Sequence, residues 1–350
     1  MQFTHDWLPQ RVVFATGGAA GAVAEEVRRL GATRVMAIAS DAGRAGPVLD
    51  GVPVEVLHTD VAMHVPVEVA ERAREVTAAH DVDALVSVGG GSTTGLAKAV
   101  ALTTGLPIVA VPTTYAGSEA TDVWGLTEDG RKTTGVDRRV LPRAVVYDAS
   151  LMLTLPVPTS VASGLNALAH CVDSMWAPRT DPVDQALALE GMRALRSGLP
   201  RVVEEPMEPD GREQTLYGAY LAAVAFASAG SGLHHKICHV LGGMFGLPHA
   251  ETHAVVLPHV LSLNAPAVPD LDQRMADALG GDTALDGLRT LRDETAAPRS
   301  LRDLGLVEDD VPKAVQPILE AAPPSNPVPV TADVVASLLH AAWEGKEPSP

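Results

Sequence analysis

Short apolar runs alternate with helical stretches in the first part of the chain, and this pattern limits the possible folds most. The helical stretches differ from the runs in length and in the spacing of their apolar residues. The runs that we predict to be strands are Arg11–Phe14, Arg34–Ala39, Val54–Leu57, Ala84–Val88, Pro107–Val111 and Ala144–Tyr147. The stretches that we predict to be helices are Ala22–Leu30, Val67–His80 and Gly95–Leu102. Such an alternation predicts a parallel sheet with helices on both faces.

From about Leu155 the pattern becomes purely helical. The predicted helices are Val161–Trp176, Pro182–Leu195, Arg212–Ala229, Leu233–Leu241 and Ala332–Trp343. A chain of 350 residues is long enough for two lobes. We therefore expect an α/β domain over residues 1–155 and an all-helical domain over residues 156–350.

Composition and charge narrow the function classes. The net charge of -17 argues against a nucleic acid or an anionic membrane as partner, because phosphate groups would be repelled. An anionic small-molecule substrate would need a local group of cations. The sequence has only two cysteines and no segment that reads as a signal peptide or a membrane span, so we expect a reducing cytoplasm.

Two loops that follow predicted strands are candidates for binding a nucleotide. The first runs from a strand through three glycines into a helix that carries Lys98, an arrangement in which backbone N–H groups can approach a pyrophosphate. The second also leaves a strand and offers hydroxyl groups. The candidate cofactor-binding residues of both loops are Gly89, Gly90, Gly91, Ser92, Thr93, Thr94, Lys98, Thr113, Thr114 and Ser118. These loops predict a Rossmann-like nucleotide-binding domain.

Two earlier features bear on the choice of cofactor. The segment Thr16–Gly21 partly imitates a dinucleotide fingerprint, but its first two glycines are adjacent, so we interpret it as a plain helix start. Asp41 follows a predicted strand and could accept the ribose hydroxyls of NADH, which would disfavour a 2′-phosphorylated cofactor. A role for Asp41 as a surface acid in a turn is equally consistent with the sequence.

Histidines are concentrated in the helical part, where half of the 12 fall between Gly232 and His259. His235 and His239 are four residues apart and would share one helix face. We expect Gly242 and Gly243 to end that helix and to return His249 to the same pocket. Asn166 and His170 repeat the spacing upstream. The four side chains that would converge, Asn166, His170, His235 and His249, look like a divalent-metal site in which a neutral amide stands where a carboxylate is expected.

Other histidines have no such context. We expect structural or surface roles for His5, His58, His80 and His340. For His234, which lies one residue off the face of His235 and His239, both a structural and a catalytic role stay open.

Several motifs together resemble the iron-containing alcohol dehydrogenase superfamily, which includes glycerol dehydrogenase and is similar to dehydroquinate synthase. Within it, the maleylacetate reductases are the subfamily with the nearest pattern. The motifs span both predicted domains and are Met63–Val69, Gly89–Lys98, Pro112–Glu119, Ser163–Cys171, Gly232–Gly243, Pro298–Leu301 and Asn326–Val330. The resemblance implies an α/β nucleotide-binding domain followed by an all-α catalytic domain, and a homodimer formed through N-terminal edge strands.

Two departures from the metal-dependent members matter. Those enzymes hold Fe or Zn with an aspartate and three histidines, and the matching positions here are Asn166, His170, His235 and His249. An amide supplies only a dipole to a divalent ion, so binding should be much weaker. Gly95 likewise replaces an aspartate of the superfamily. The resemblance thus implies an NADH-dependent reductase that requires no metal, with NADPH as cofactor and Fe or Zn as ligand left open.

The subfamily resemblance also implies a reaction, the reduction of the carbon–carbon double bond of maleylacetate to give 3-oxoadipate in the degradation of aromatic compounds. We hypothesise that His239 and His249 act as hydrogen-bond donor or acid, with His170 and His235 orienting them and the substrate. Lys236 is the nearest candidate cation for the substrate carboxylates. The candidates for further substrate contacts are His64, Tyr115, Ser118 and Thr121.

Three alternatives remain at this point. The first is a metal-dependent alcohol dehydrogenase or aldehyde reductase of the same superfamily that tolerates Asn166 as a ligand. The second is a lyase of the dehydroquinate synthase type, and the third is a reductase that acts on another unsaturated acid in a biosynthetic pathway.

Overall fold

The computed structural model describes residues 2–128 and 131–348, and the chain forms two compact units. One unit spans Trp7–Leu155, and the other contains the residues from Pro156 onward together with the segment before Trp7. The expected first domain began at residue 1, but His5 lies in the helical unit, where its Nδ1 atom is 2.8 Å from Oδ2 of Asp181. This contact between the N-terminal segment and a helical segment accounts for the difference.

The unit Trp7–Leu155 contains the strands of the described residues. They are β1 (Arg11–Phe14), β2 (Val35–Ile38), β3 (Val54–His58), β4 (Ala84–Gly89), β5 (Ile108–Pro112), β6 (Val123–Glu128), β7 (Arg131–Val136) and β8 (Ala144–Tyr147). Six of them form a parallel sheet with the strand order β1-β8-β5-β4-β2-β3. The central strands of this sheet are buried on both faces, as the apolar runs predicted, while β1 and β3 form the edges.

Strands β6 and β7 form a separate antiparallel pair that the sequence analysis did not predict. Trp124 faces Gly135 across the pair, and a Cβ atom on that glycine would lie 2.6 Å from the indole ring. The packing of a large ring over a residue without a side chain stabilises the pair, and this cross-strand complementarity is not visible as an apolar run.

In the unit Trp7–Leu155 the helices alternate with strands, as predicted. The other unit consists of helices and their connections. The helices are α1 (Ala19–Leu30), α2 (Ala42–Ala45), α3 (Val67–Ala79), α4 (Gly91–Thr104), α5 (Val157–Ser174), α6 (Pro182–Glu204), α7 (Pro209–Ala229), α8 (Leu233–Phe245), α9 (His249–Asn264), α10 (Pro269–Leu279), α11 (Ala284–Glu294), α12 (Val311–Ala321) and α13 (Ala332–Glu344). The predicted fold class, an α/β domain followed by an all-helical domain, is confirmed.

The prediction that Gly242 and Gly243 end the histidine helix is wrong. Helix α8 continues through both glycines and ends after Phe245, where Gly246 adopts a left-handed conformation with φ of 65°. Apolar packing explains the extension, because Leu241 and Leu247 are buried in the same core and Phe245 packs against it. Tertiary contacts thus outweigh the low helix propensity of two glycines.

Within the described residues, no single helix has both the length and the apolar composition needed to cross a membrane. One pair, α7 and α8, meets those criteria when the two helices are taken together, and the pair is bent by 98°.

Candidate active site

The two predicted nucleotide loops lie together at the carboxyl ends of β4 and β5. Gly89 pairs with Pro112 in the sheet register, and the backbone N–H of Thr113 donates to the carbonyl of Gly89 at 3.0 Å. A Cβ atom on Gly90 would lie 2.9 Å from Cγ2 of Thr114, so the loops can approach this closely only because position 90 is glycine. The carboxyl ends of parallel strands are where open α/β sheets bind ligands.

Helix α4 begins at Gly91, directly after the first loop. The N–H groups of the first turn of a helix have no carbonyl partner within the helix, and the helix dipole there favours an anion. The side chains of Thr93 and Thr94 are buried, whereas Ser92 is half-buried. Helix α4 is 14 residues long, and its N-terminus is therefore suited to binding a phosphate group.

Lys98 was predicted to bind the cofactor, but its ammonium group contacts carbonyl groups inside the protein. Its ammonium group is buried and donates to the carbonyls of Ser118, Thr121 and Val123 at 2.5, 2.8 and 2.8 Å, and lies 3.1 Å from Oγ1 of Thr121. Burial lowers the pKa of Lys98 to about 7, an effect that the nearby charges of Glu119 and Asp122 oppose. Lys98 thus ties the second loop to α4 from inside the protein.

Two other features of this unit bear on cofactor binding, the carboxylate of Asp41 and the start of α1. Oδ1 of Asp41 accepts from the backbone N–H groups at the start of α2, and Oδ2 lies 3.3 Å from the Arg44 guanidinium. Residues Thr16–Gly21 lead into α1, as interpreted from the sequence, and Asp148 accepts from the N–H groups of Gly17 and Ala19. A carboxylate of the protein therefore lies at the start of α1, where a dinucleotide phosphate would otherwise bind.

The substrate candidates of this unit occupy distinct settings. Tyr115 and Thr121 are buried, and Ser118 is half-buried. His64 is exposed and has a φ of 61°, a left-handed conformation that is uncommon outside glycine. Its carbonyl accepts from the hydroxyl of Thr127 at 2.8 Å, which ties this segment to β6.

Six histidines of the helical unit form one cluster on α5, α8 and α9, and they are His170, His234, His235, His239, His249 and His253. The rings of His170 and His235 stack with their centroids 4.8 Å apart, and Phe226 lies 4.3 Å from His235. His239 and His249 are exposed, and their rings stand 6.3 Å apart with an interplanar angle of 16°. Lys236, the candidate cation, is half-buried on α8.

Burial sets the electrostatics of this cluster. Burial lowers the pKa of His170 to about 3 and, together with neighbouring imidazoles, lowers the pKa of His234 to about 3. The same causes hold the pKa values of His235 and His253 well below the usual range. The buried imidazoles are therefore neutral near pH 7, and each offers one lone pair and one N–H group.

Sequence reasoning assigned no role to two buried residues of the cluster, Asp173 and His253. His253 is joined to His234 by a hydrogen bond of 2.8 Å and lies 4.5 Å, ring to ring, from His249. It follows His249 by four residues on α9, and Asp173 follows His170 by three on α5. Helical spacing relative to a predicted site residue was therefore the signal that could have identified both.

The side chains that could bind a metal ion differ in part from the predicted set. Asn166 is buried, and its Oδ1 atom has no hydrogen-bond partner among the described residues, so it could face a ligand. However, the histidines of this cluster whose ring nitrogens lie within 4.8 Å of one another are His234, His235 and His253, a set different from the one predicted. The predicted donors Asn166, His170, His235 and His249 are an amide and three imidazoles, and thus include no anion. This set lacks the negative charge that a carboxylate would supply to a divalent ion such as Fe or Zn.

Comparison with known proteins identifies the family to which this chain belongs. A model of iron-containing alcohol dehydrogenases matches residues 9–149, and a model of the C-terminal region of the Fe-containing alcohol dehydrogenase family matches residues 160–343. The chain belongs to the iron-containing alcohol dehydrogenase family. The resemblance inferred from the sequence motifs is thereby confirmed.

Relatives in this family are similar over their full length. A maleylacetate reductase of Sphingobium indicum is 44% identical, with 99% of each chain covered. The crystal structure of a maleylacetate reductase from a Rhizobium species superposes with a TM-score of 0.93 at 43% identity, covering 99% of this chain and 100% of the other. An iron-containing alcohol dehydrogenase of Corynebacterium glutamicum superposes with a TM-score of 0.97 at 56% identity, covering 99% and 98%.

Proposed function

We propose that this protein is a maleylacetate reductase that uses NADH to reduce the carbon–carbon double bond of maleylacetate to 3-oxoadipate without a required metal. The observation that carries the proposal is the buried amide of Asn166 at the position where metal-dependent members of the family have an aspartate. A relative 44% identical over its full length, named maleylacetate reductase, supports the same substrate.

The cofactor part of the proposal rests on the first unit. The N-terminus of α4 and the hydroxyl groups of the two loops suit a pyrophosphate. The carboxylate of Asp41 follows β2, where an acid that accepts the ribose hydroxyls supports NADH, while the guanidinium of Arg44, 3.3 Å from Oδ2, is a group that would accept a 2′-phosphate. NADH supplies a hydride when it is bound.

The reaction requires the protein to stabilise negative charge and to deliver a proton. Hydride adds to the alkene carbon that is β to the ketone, the π electrons move onto the ketone oxygen to form an enolate, and a proton then adds to the carbon α to the ketone. A hydrogen-bond donor near the ketone oxygen lowers the barrier of the first step, and a positioned acid accelerates the second by about 10² to 10⁴.

We assign the donor and acid functions to His239 and His249. Both are exposed in the helical unit, so each can exchange protons with solvent between turnovers. The buried rings of His170 and His235 orient the cluster through their stacking. Lys236, one residue from His235 on α8, supplies positive charge for a substrate carboxylate.

The experiment that tests the substrate is NADH oxidation by the purified protein with freshly prepared maleylacetate, with 3-oxoadipate identified by mass spectrometry. Simple aldehydes and ketones, tested at the same concentration, serve as the comparison. NADPH is tested in parallel to establish the cofactor preference. Turnover of maleylacetate to 3-oxoadipate, well above that of the aldehydes, is expected; preferential reduction of aldehydes would contradict the proposal.

One observation favours a second candidate, a metal-dependent alcohol dehydrogenase. The iron-containing alcohol dehydrogenase of Corynebacterium glutamicum is 56% identical to this chain. This candidate predicts aldehyde or ketone reduction that depends on Fe or Zn, so the same assay distinguishes it.

We also infer a homodimer in the cytoplasm. The edge strand β1 ends at Phe14, whose side chain is 40% exposed, and unpaired sheet edges invite association. Both cysteines, Cys171 and Cys238, are free thiols, which fits a reducing compartment. Light scattering of the purified protein tests the oligomeric state, and a monomeric mass would contradict it.

A further inference from the structure

Asp173 lies at the end of α5 with its side chain fully buried among the histidines. Its Oδ2 atom accepts from the backbone N–H of Gly232 at 3.0 Å, from the backbone N–H of His235 at 3.2 Å, and lies 2.7 Å from Nδ1 of His235. One carboxylate oxygen thus connects α5, the start of α8 and one imidazole ring.

The identity of the residue before α8 is matched to this carboxylate. A Cβ atom on Gly232 would lie 2.4 Å from Oδ1 of Asp173, a distance at which one of the two groups must move. Only glycine therefore permits the carboxylate to occupy its observed place. A substitution at Gly232 therefore displaces the carboxylate of Asp173 without changing Asp173 itself.

The hydrogen bonds fix which ring nitrogen of His235 carries a proton. Because Oδ2 of Asp173 already accepts two backbone N–H groups, it acts as an acceptor, and Nδ1 of His235 must be the donor. In the neutral ring, Nε2 then has a lone pair and no hydrogen. That atom is buried and has no hydrogen-bond partner among the described residues.

The orientation of the same ring is also fixed. His170 stacks on it at an interplanar angle of 14°, and Phe226 packs on it with centroids 4.3 Å apart. The aromatic contacts limit the tilt of the ring, while Asp173 fixes its rotation about the bond to Cβ.

We propose that Asp173 is a positioning residue that holds His235 as the Nδ1–H tautomer, so that Nε2 serves as a hydrogen-bond acceptor and does not supply the proton of the reaction. The lone pair is left to accept from a donor that enters the cluster, and the proton for carbon comes from another group. The catalytic part of this proposal rests on the proposed function, but the tautomer itself does not.

A purely structural role for Asp173 would have different consequences. If the carboxylate only joined α5 to α8, its replacement would lower stability and leave the tautomer of His235 and the turnover of folded protein unchanged. Positioning of a ring, in contrast, changes kcat more than the KM for NADH.

The test uses the full chain labelled with ¹⁵N-histidine, and the signals of His235 are assigned from their loss in His235→Gln. Asp173→Asn keeps the volume of the side chain, and Gly232→Ala displaces the unchanged carboxylate. Ser174→Ala removes the neighbouring buried hydroxyl, which donates to the carbonyl of His170, and serves as the control. Ring ¹⁵N shifts, kcat and the KM for NADH are measured for each variant that folds.

The wild type is expected to show the Nδ1–H tautomer of His235. Asp173→Asn and Gly232→Ala should shift the ring toward Nε2–H and lower kcat on the order of tenfold to a hundredfold, the usual effect of losing a carboxylate that orients an active-site histidine, with the KM for NADH unchanged. Ser174→Ala should change neither quantity.

An Nε2–H tautomer in the wild type would overturn the proposal, and so would an unchanged tautomer and kcat in both variants. The wild-type spectrum gives a decision even if neither variant folds. Failure of the wild type to reduce maleylacetate would instead contradict the proposed function, and the spectrum would still decide the tautomer.

Discussion

Val65 occupies the space that a side chain at position 95 would need. A Cβ atom on Gly95 would lie 3.0 Å from Cγ2 of Val65, and Val65 itself has a left-handed φ of 48°. The N–H of Thr127 donates to the carbonyl of Val65 at 3.1 Å, which anchors this unusual conformation. The glycine at position 95 is therefore matched to the position of the Val65 side chain.

We expect Gly95→Asp to lower the free energy of unfolding by about 1–3 kcal/mol, the usual effect of an overpacked site. Urea unfolding measures the change. Val65→Ala in the same chain should recover part of the loss, because the smaller side chain makes room. Gly21→Asp on α1, where a Cβ atom meets nothing within 4 Å, serves as the control. Equal losses in the Gly95 and Gly21 variants would contradict the steric explanation.

Sequence patterns predicted the first unit well because its sheet is built from apolar runs. Strands β1 and β8 have the predicted bounds, and β4 is one residue longer. The pair β6 and β7 was missed because the packing of Trp124 on Gly135 is not visible as an apolar run. Helices α9 to α12 were missed, since their residues are stabilised by contacts that are distant in sequence. Pro258, for example, lies inside α9 although proline disfavours helix interiors.

The histidine cluster was predicted in outline and not in detail. The spacing of His235 and His239 identified the helix, but a sequence pattern does not show which lone pairs face each other across three helices. The pairing of His234 with His253 and of His235 with Asp173 depends on how α5, α8 and α9 pack. The same limit applies to Lys98, whose charge is used inside the fold.

Lys98→Met should loosen the loop that follows β5. Removal of the ammonium leaves three carbonyls without their donor, so we expect a loss of about 3 kcal/mol in unfolding free energy. The KM for NADH should rise about tenfold, which corresponds to about 1.4 kcal/mol of binding energy. The matched control is Lys313→Met, which alters an exposed lysine on α12. An unchanged KM in Lys98→Met would show that this loop does not bind the cofactor.

Replacement of His249 by Ala should affect chemistry and leave cofactor binding nearly unchanged. If His249 acts as the acid or donor, kcat should fall by about 10² to 10⁴. Stopped-flow assays with maleylacetate measure kcat, and fluorescence titration measures the affinity for NADH. His340→Ala, at an exposed position on α13, should leave both quantities unaltered. A normal kcat in the His249 variant would remove this residue from the mechanism.

His259 should make the fold sensitive to acid. Burial, aided by the nearby Arg292 charge, lowers the pKa of His259 from 6.5 to about 4. The unfolded protein therefore binds more protons than the folded protein between pH 6.5 and about 4, so stability falls as the pH is lowered through this window. The full effect amounts to about 3 kcal/mol.

Urea unfolding at a series of pH values tests this effect. His259→Gln should reduce the slope between pH 6.5 and about 4 by the contribution of one proton, while the buried histidines of the cluster maintain the rest; His340→Gln should leave the slope as in the wild type. A slope that is the same in all three proteins would contradict the assignment to His259.

Asn166→Asp would restore an anionic ligand beside His170 on α5. We expect the variant to retain Zn or Fe through purification in larger amounts than the wild type, because a carboxylate contributes charge that an amide lacks. Elemental analysis of both proteins, prepared in parallel, measures the metal content. Equal contents would show that the amide does not limit metal binding.

The most direct measurement is maleylacetate-dependent oxidation of NADH before and after exhaustive chelation, with the metal content determined on the same wild-type sample. We predict robust turnover that survives chelation at a metal content far below one ion per chain. Turnover that disappears on chelation and returns only with Zn or Fe would contradict a metal-independent maleylacetate reductase.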